Sequence, residues 1–193
     1  MLQAGIALRS QRSSSNQKQQ DVLQPASARI GPVQPHYPIV IPNLQEFAAL
    51  PSSCMTYPEY AIFPMRQELV NYGLEEARTA ADVDRLLGPD SGTVLMVVNS
   101  ICGCAAAKAR PGIAQALRHP VKPLKSATVF AGADLEAVAR LRQILAAYPP
   151  SSPSITLFNN GKPVYLMHRS DIEPRNSTQI AELLTDAFDR FCT

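Results

Sequence analysis

The 193-residue sequence has little net charge, no long apolar run and few cysteines. Its 18 Lys and Arg residues nearly balance 16 Asp and Glu residues, which gives a net charge of +2. This balance produces no strong field toward nucleic acid or an anionic membrane, so neither is indicated as a partner. The longest apolar runs, such as residues 93–98, are far shorter than the roughly 20 residues that span a bilayer. The composition therefore predicts a soluble protein.

Cysteine occurs four times, and the spacing of the cysteines is uneven. Cys102 and Cys104 flank a single glycine, whereas Cys54 and Cys192 are remote from them. Secreted disulfide scaffolds distribute many cysteines along a short chain, so this spacing favours redox chemistry in a reducing compartment.

Residues 1–54 differ in composition from the rest of the chain. Gln and Ser are frequent at positions 10–20, and prolines follow at positions 25, 32, 35, 38, 42 and 51. Because little apolar periodicity accompanies them, we predict a disordered amino-terminal extension over residues 1–54 and one folded domain over residues 55–193. Positive charge without acidic residues at the amino end is also compatible with a transit peptide. Met55 stands at the boundary, and we expect residues 1–54 to be dispensable and not necessarily translated.

From Met55 onward the apolar residues recur with the periods of helices and strands. Capping residues begin two of the helices, and a β-branched apolar run at residues 93–100 is typical of a strand buried on both faces. The prediction comprises a helix over residues 65–71 that begins at Pro64, a helix from Thr79 (with Asp82) to Gly88, strands over residues 93–100, 127–130, 154–158 and 163–168, helices over residues 102–118 and 134–147, and a last helix from Asn176 (with Gln179).

The order of these elements predicts an α/β fold. A right-handed βαβ unit followed by a ββα unit gives a four-stranded mixed sheet with helices on both faces, which is a thioredoxin-like layout. Asn160 and Gly161 predict a hairpin turn between the last two strands. Pro111 lies inside the helix over residues 102–118, where it should cause a kink or remove a hydrogen bond.

A Cys-Gly-Cys motif lies where the first long strand gives way to a helix. The free N–H groups and positive dipole end of the helix favour thiolate over thiol, so Cys102 is predicted to be the more acidic and more exposed nucleophile. Side chains two residues apart on a helix do not face each other, so a Cys102–Cys104 disulfide has to distort the first turn. Gly103 gives the turn that freedom.

Four further residues are predicted to support this site: Asn99 and Ser100 at the end of the strand before it, and Ser152 and Pro153 before the third strand. Thioredoxin-like proteins hold a cis-proline beside the active thiols at the latter position. Because a cis bond is accessible chiefly before proline, we expect the Ser152–Pro153 bond to be cis.

These motifs together resemble the bacilliredoxins, a thioredoxin-like family of the bacterial cytoplasm. The resemblance extends from about Tyr57 to Cys192. The matching segments are residues 64–69, 97–106, 109–111, 129–132, 150–154 and 187–192.

The resemblance implies an activity that removes bacillithiol, a low-molecular-weight thiol, from protein cysteines. Cys102 would take the bacillithiol onto itself, and Cys104 would resolve the mixed disulfide. The implied partners are bacillithiol-capped cytosolic proteins and bacillithiol as co-substrate, with no bound cofactor and no metal. The family usually has an Arg-His pair and then Ile-Glu-Gly after the fourth strand, whereas this chain has Ser170 at the histidine position and Pro174 at the glycine position. His168, two residues before Ser170, is the alternative histidine.

Other interpretations of these residues are open. The chain could be a protein disulfide isomerase, or a non-catalytic redox-sensing module in which Cys102 becomes capped. A zinc site normally needs four ligands, and the histidines are scattered at positions 36, 119 and 168, so we predict no metal site. Arg110 either contacts an anionic substrate or has a structural or solvated role. Cys192 is either a resolving thiol or a half-buried helical thiol, and Cys54 is predicted to be incidental.

Overall fold

The computed structural model describes residues 56–192. Residues 1–54, with their predicted disorder and Cys54, lie outside this range, so the domain boundary stays a prediction. The elements are α1 (Glu59–Asn71), β1 (Glu75–Glu76), α2 (Ala80–Leu86), β2 (Thr93–Asn99), a π-helical turn (Ala105–Ala109) that leads into α3 (Arg110–Ala116), β3 (Lys125–Phe130), α4 (Leu135–Ile144), β4 (Ser154–Asn159), β5 (Lys162–Met167), α5 (Arg169–Ile172) and α6 (Ser177–Phe191). No helix in this part of the chain is long and apolar enough to cross a bilayer.

The sheet is mixed and has five strands in the order β1-β3-β2-β4-β5. β2 pairs parallel with β3 and antiparallel with β4, and β4 pairs antiparallel with β5. These four strands confirm the predicted α/β, thioredoxin-like layout, but the predicted count of four was wrong. β1 is a two-residue strand of glutamates without apolar alternation, and it exists because the chain runs along the edge of β3. The Ala77 N–H continues this pairing by donating to the Thr128 carbonyl.

Alternate residues of the central strands feed two hydrophobic clusters, one on each face of the sheet. One cluster joins residues such as Leu95 and Val97 of β2 to α1, α3, α5 and α6. The other joins Val94, Met96 and Val98 to α2 and α4. All seven residues of β2 are buried, as its apolar run predicted.

The first helix begins at Glu59, five residues before its predicted first residue, Pro64. Pro64 lies inside α1 rather than at its first turn. The missing Pro64 N–H leaves the carbonyl of Tyr60, a residue that is 84% exposed, without its helical partner, and water can serve that carbonyl. Ile62 is fully buried, so packing stabilises the first turn of α1. The preference of proline for the start of a helix had placed this turn in a loop.

The helix that follows the Cys-Gly-Cys motif contains the irregularity that Pro111 predicted. Its backbone is helical from residue 103, and the Arg110 N–H donates to the Ala105 carbonyl, five residues earlier. Such a π-turn adds one residue to the helix. Pro111 follows directly and has no N–H to donate, so the disruption occurs one turn after the motif and leaves the start of the helix intact.

Candidate active site

The ends of four strands place the predicted site at one edge of the sheet. β2 and β3 are parallel and end together, because Asn99 pairs with Phe130. β4 begins beside the end of β2, and β5 ends beside the start of β4, since Val98 pairs with Ser154 and Ile155 with Met167. The segments that follow or precede these ends, including the Cys-Gly-Cys motif, therefore meet in one place.

Cys102 lies just before the helix and accepts two hydrogen bonds at its sulfur. The Ser100 hydroxyl donates at 3.2 Å and the Ala105 N–H donates at 3.3 Å. Burial raises the pKa of the Cys102 thiol, but hydrogen bonds from Cys104, Ser100 and Ala105, together with the charge of Arg169, outweigh burial and hold the pKa below its ordinary value. These contacts favour the thiolate form of Cys102.

Cys104 has the opposite tendency. Burial first, and then the hydrogen bond to the Cys102 sulfur and the charge on that sulfur, raise the pKa of the Cys104 thiol. Cys104 packs against the hydrophobic cluster of α3 and α6. These directions agree with the prediction that Cys102 is the more acidic thiol, although both side chains are partly exposed.

Arg110 is buried behind the site and forms hydrogen bonds with the residues that precede Cys102. Its side chain is buried, its Nε donates to the Glu68 carboxylate at 2.6 Å, and its Nη1 donates at 3.3 Å to both the Asn99 side chain and the Ser100 carbonyl. Asn99 also accepts from the Ser100 N–H at 2.9 Å and donates to the Met65 carbonyl at 3.1 Å. The geometry favours the structural alternative for Arg110, which is neither solvated nor in contact with the open space around Cys102.

Gly103 has a backbone conformation that other residues adopt as readily, because its φ is not positive. A side chain would also find space there, since no atom lies within 4 Å of the position that a Cβ would take. The conformational freedom that the sequence assigned to Gly103 is not used while the two cysteines are free, and its role in a disulfide stays a prediction.

The loop before β4 approaches the thiols as predicted. The Ser152–Pro153 peptide bond is cis, Pro153 is buried, and Ser152 lines the same pocket as Cys102. The Ser151 hydroxyl accepts from the Arg169 N–H at 2.8 Å, which joins this loop to α5.

The pocket around Cys102 also contains residues that the sequence analysis did not assign to the site. Tyr57 and Arg142 were not considered, and Arg169 entered only through the family's Arg-His pair. Arg169 follows the end of β5, which pairs beside the start of β4 and its preceding loop, so the predicted hairpin already brought this region near the site, whereas no local pattern marks Arg142. The pocket is lined by Tyr57, Ser100, Ile101, Cys102, Ala131, Gly132, Arg142, Ser152 and Arg169.

Two residues considered at the sequence level lie away from Cys102. His168 lines an adjacent, mainly apolar pocket between α4 and the loop before β4. Cys192 is partly buried against the cluster of α3 and α6, and burial raises the pKa of its thiol. The neighbouring Thr93 side chain opposes that rise in pKa, and Thr93 is the first residue of β2, at the end opposite Cys102. This placement agrees with a half-buried helical thiol.

Comparison with known proteins gives consistent matches over this domain. The profile of a family described as Disulphide isomerase matches residues 57–192. A bacilliredoxin of Koribacter versatilis is 53% identical over 136 residues, which are 70% of this chain and 94% of that protein. A bacilliredoxin of Salinibacter ruber is 48% identical over 143 residues, covering 72% of this chain and 82% of that protein. A bacilliredoxin of Bacillus licheniformis is 44% identical over 140 residues, covering 70% and 97%, respectively.

Proposed function

The chain belongs to the bacilliredoxin family and is a thiol–disulfide oxidoreductase, and from this premise we propose that it removes bacillithiol from capped protein cysteines in the cytoplasm. The observation that carries the proposal is the Cys102 sulfur, which lines an open pocket and accepts hydrogen bonds from the Ser100 hydroxyl and the Ala105 N–H, with a second thiol two residues away at Cys104. Exchange needs an accessible thiolate for the first attack and a nearby thiol for the second.

The proposed reaction has two exchange steps. The Cys102 thiolate attacks the bacillithiol sulfur of the mixed disulfide, a bond forms between these sulfurs, and the target protein leaves as a thiolate. The Cys104 sulfur, after losing its proton, then attacks Cys102, and bacillithiol leaves as a thiolate. The products are a Cys102–Cys104 disulfide, free bacillithiol and the uncapped protein. Bacillithiol is thus a co-substrate, and no bound cofactor or metal takes part.

The charges of the two thiols support this order. Two of the causes that raise the pKa of Cys104 depend on the thiolate of Cys102, since Cys104 both donates a hydrogen bond to it and lies in its field. Once Cys102 is capped, its negative charge is gone and both causes lapse. Loss of both causes lowers the pKa of Cys104, which favours its ionisation for the second attack.

A second candidate function is isomerisation of protein disulfides. The matching family is described as Disulphide isomerase, which favours this function. A Cys-x-Cys disulfide closes a small, strained ring that is easily reduced, which suits transfer and isomerisation better than strong reduction. The two functions share the attack by Cys102 and differ in the disulfide that is attacked.

The test uses the full-length reduced chain, mixed in equal amounts with a protein that carries one bacillithiol cap. We expect the wild type and Cys192→Ser to release the target thiol equally, because Cys192 lies near the other end of β2. Cys102→Ser should release none. Cys104→Ser should release the target and retain one bacillithiol on Cys102, measured as an intact-mass increase.

Three results would contradict the proposal. Undiminished release by Cys102→Ser would exclude Cys102 as the nucleophile. Wild type that rearranges a scrambled disulfide protein, but leaves the bacillithiol cap in place, would favour the isomerase. Stable capping of Cys102 in the wild type without later release of bacillithiol would favour a redox-sensing module.

A further inference from the structure

The pocket beside Cys102 is lined by two arginines and, among residues 56–192, by no acidic side chain. Arg142 comes from the last turn of α4, and Arg169 is the first residue of α5. Two positive groups from separate elements therefore share an open pocket with the nucleophilic sulfur. Of the two, only Arg169 is among the groups that lower the pKa of Cys102, so stabilisation of the thiolate does not explain Arg142.

Arg169 lies close enough to both thiols for their charges to interact. The hydrogen bond to Glu173, and then the charges of Cys104 and Cys102, raise the pKa of Arg169. Its Nε lies 2.7 Å from the Glu173 carboxylate, and its backbone N–H is fixed by Ser151. The Glu173 pair is exposed and one turn apart, so it is weak and can exchange for another carboxylate.

Arg142 has no carboxylate within ion-pair distance in the described part of the chain, whereas Arg140, on the same helix, lies 2.6 Å from Asp84. Arg142 is exposed and stands between the Cys102 pocket and the adjacent apolar pocket. Its charge is therefore available on the side from which a disulfide approaches Cys102.

We propose that Arg142 and Arg169 bind carboxylate groups on the small-thiol half of the disulfide that Cys102 attacks. This inference deepens the proposed function and rests on it, because the occupant is the small thiol of a mixed disulfide. Guanidinium groups bind carboxylates through paired, charge-assisted hydrogen bonds, which also orient the ligand. Arg110, the arginine that the sequence offered for this role, is buried on Glu68 and Asn99 instead. The pocket thus selects small thiols that carry carboxylates over neutral ones of similar size.

The test compares two synthetic disulfides in a full-length background in which Cys54, Cys104 and Cys192 are serine. Dithiobis(nitrobenzoate) carries one carboxylate on each ring, and dithiodipyridine is uncharged. In each reaction the Cys102 thiolate forms a disulfide with one aromatic sulfur, and the other aromatic half leaves with the electron pair as a coloured thiolate or thione. The second-order rate constant for each probe is measured, and their ratio, anionic over neutral, is the readout. The ratio cancels changes in the thiolate population of Cys102.

We expect Arg142→Gln and Arg169→Gln each to lower this ratio about threefold to tenfold, and the double variant to lower it further. The effect should shrink as ionic strength rises. Arg142→Lys and Arg169→Lys, which keep the charge, should retain a larger ratio than the Gln variants. Glu173→Gln should raise the ratio, because it removes the carboxylate that competes for Arg169.

Arg140→Gln is the matched control, since it removes one positive charge from the same helix while leaving the pocket intact. An equal fall in the ratio for Arg140→Gln and Arg142→Gln would overturn the inference in favour of a general field. A ratio unchanged by Arg142→Gln and Arg169→Gln would also overturn it. Neither probe contains bacillithiol, so failure to remove a bacillithiol cap refutes the proposed function without changing this ratio.

Discussion

Cys102 and Cys104 are chemically different although they are two residues apart. Both are partly buried, and burial raises the pKa of each. The difference comes from two hydrogen bonds: the one between the thiols lowers the pKa of Cys102 and raises that of Cys104, and the Ser100 hydroxyl donates to Cys102 alone. Hydrogen bonds to the charged form lower a pKa, so these side-chain donors decide which thiol ionises first.

The first prediction concerns alkylation by iodoacetamide as a function of pH. Because the pKa of Cys102 is lowered and that of Cys104 is raised, Cys102 is a thiolate at pH values where Cys104 is still protonated. As pH increases from the acidic side, Cys102 should therefore be labelled first. Ser100→Ala removes one donor to the thiolate and should move the labelling midpoint of Cys102 to higher pH. Peptide mass spectrometry at each pH measures both cysteines.

Ser152→Ala is the control for this shift, because Ser152 lines the same pocket and makes no hydrogen bond to the Cys102 sulfur in the described structure. Its labelling midpoint should match that of the wild type. Labelling of Cys104 before Cys102 would reverse the assignment of their roles.

At the scale of elements, one side chain of α3 connects α1 to the end of β2. Arg110 follows the π-turn and is the first residue of α3. Its side chain donates hydrogen bonds to Glu68 of α1, to the Asn99 side chain and to the Ser100 carbonyl. Ser100 in turn donates to the Cys102 sulfur. The position of the Cys102 sulfur, the proposed nucleophile, thus depends on how three elements are joined, and Arg110 is a positioning residue.

Arg110→Gln is predicted to destabilise the fold by about 1–3 kcal/mol, because it breaks charge-assisted hydrogen bonds and leaves buried acceptors unpaired. Exchange with anionic and neutral disulfides should slow by the same factor, since Arg110 does not line the pocket. Thermal unfolding and the two exchange rates test this prediction. Arg140→Gln, at an exposed ion pair, should cost less than about 1 kcal/mol. An unchanged melting temperature with loss of only the anionic reaction would restore Arg110 as a substrate contact.

Elements with local signals could be predicted from the sequence. Each of α2 and α6 begins with a capping box, in which the cap residue and the residue three positions later exchange side-chain to backbone hydrogen bonds. The pairs are Thr79 with Asp82 and Asn176 with Gln179. The hairpin turn uses the positive φ that Asn160 and Gly161 tolerate. By contrast, β1 depends on pairing with β3. No local pattern encodes a contact between segments about fifty residues apart.

At the scale of the whole molecule, the site exists because four strand ends meet at one edge of the sheet. The motif predicted Cys102 and Cys104, since the strand-to-helix transition is local. The other walls of the pocket come from the ends of β3, α4 and β5 and from Tyr57 at the beginning of the described chain. Arg142 could not be predicted, because its place depends on how α4 packs against the sheet.

Tyr57 defines how much of the amino-terminal segment the site requires. Its N–H donates to the Gly132 carbonyl at 3.0 Å, and its ring lies where a Gly132 side chain would be: a Cβ there would meet Tyr57 Cε2 at 2.6 Å. Gly132 has φ +83°, so this turn excludes most side chains on two grounds. The pocket is therefore complete only if the chain includes residue 57.

We predict that a chain starting at Met55 keeps the melting temperature and both disulfide-exchange rates of the full chain. Within the described chain, the two hydrophobic clusters draw on residues from 69 to 192, and residues 57–192 match the family profile. A chain starting at Glu59 is the matched control, because it lacks Tyr57 and leaves the Gly132 carbonyl without that partner. It should keep most of its stability and lose exchange rate with both probes. A large loss of stability or rate on removing residues 1–54 alone would show that they contribute to the domain, contrary to the prediction.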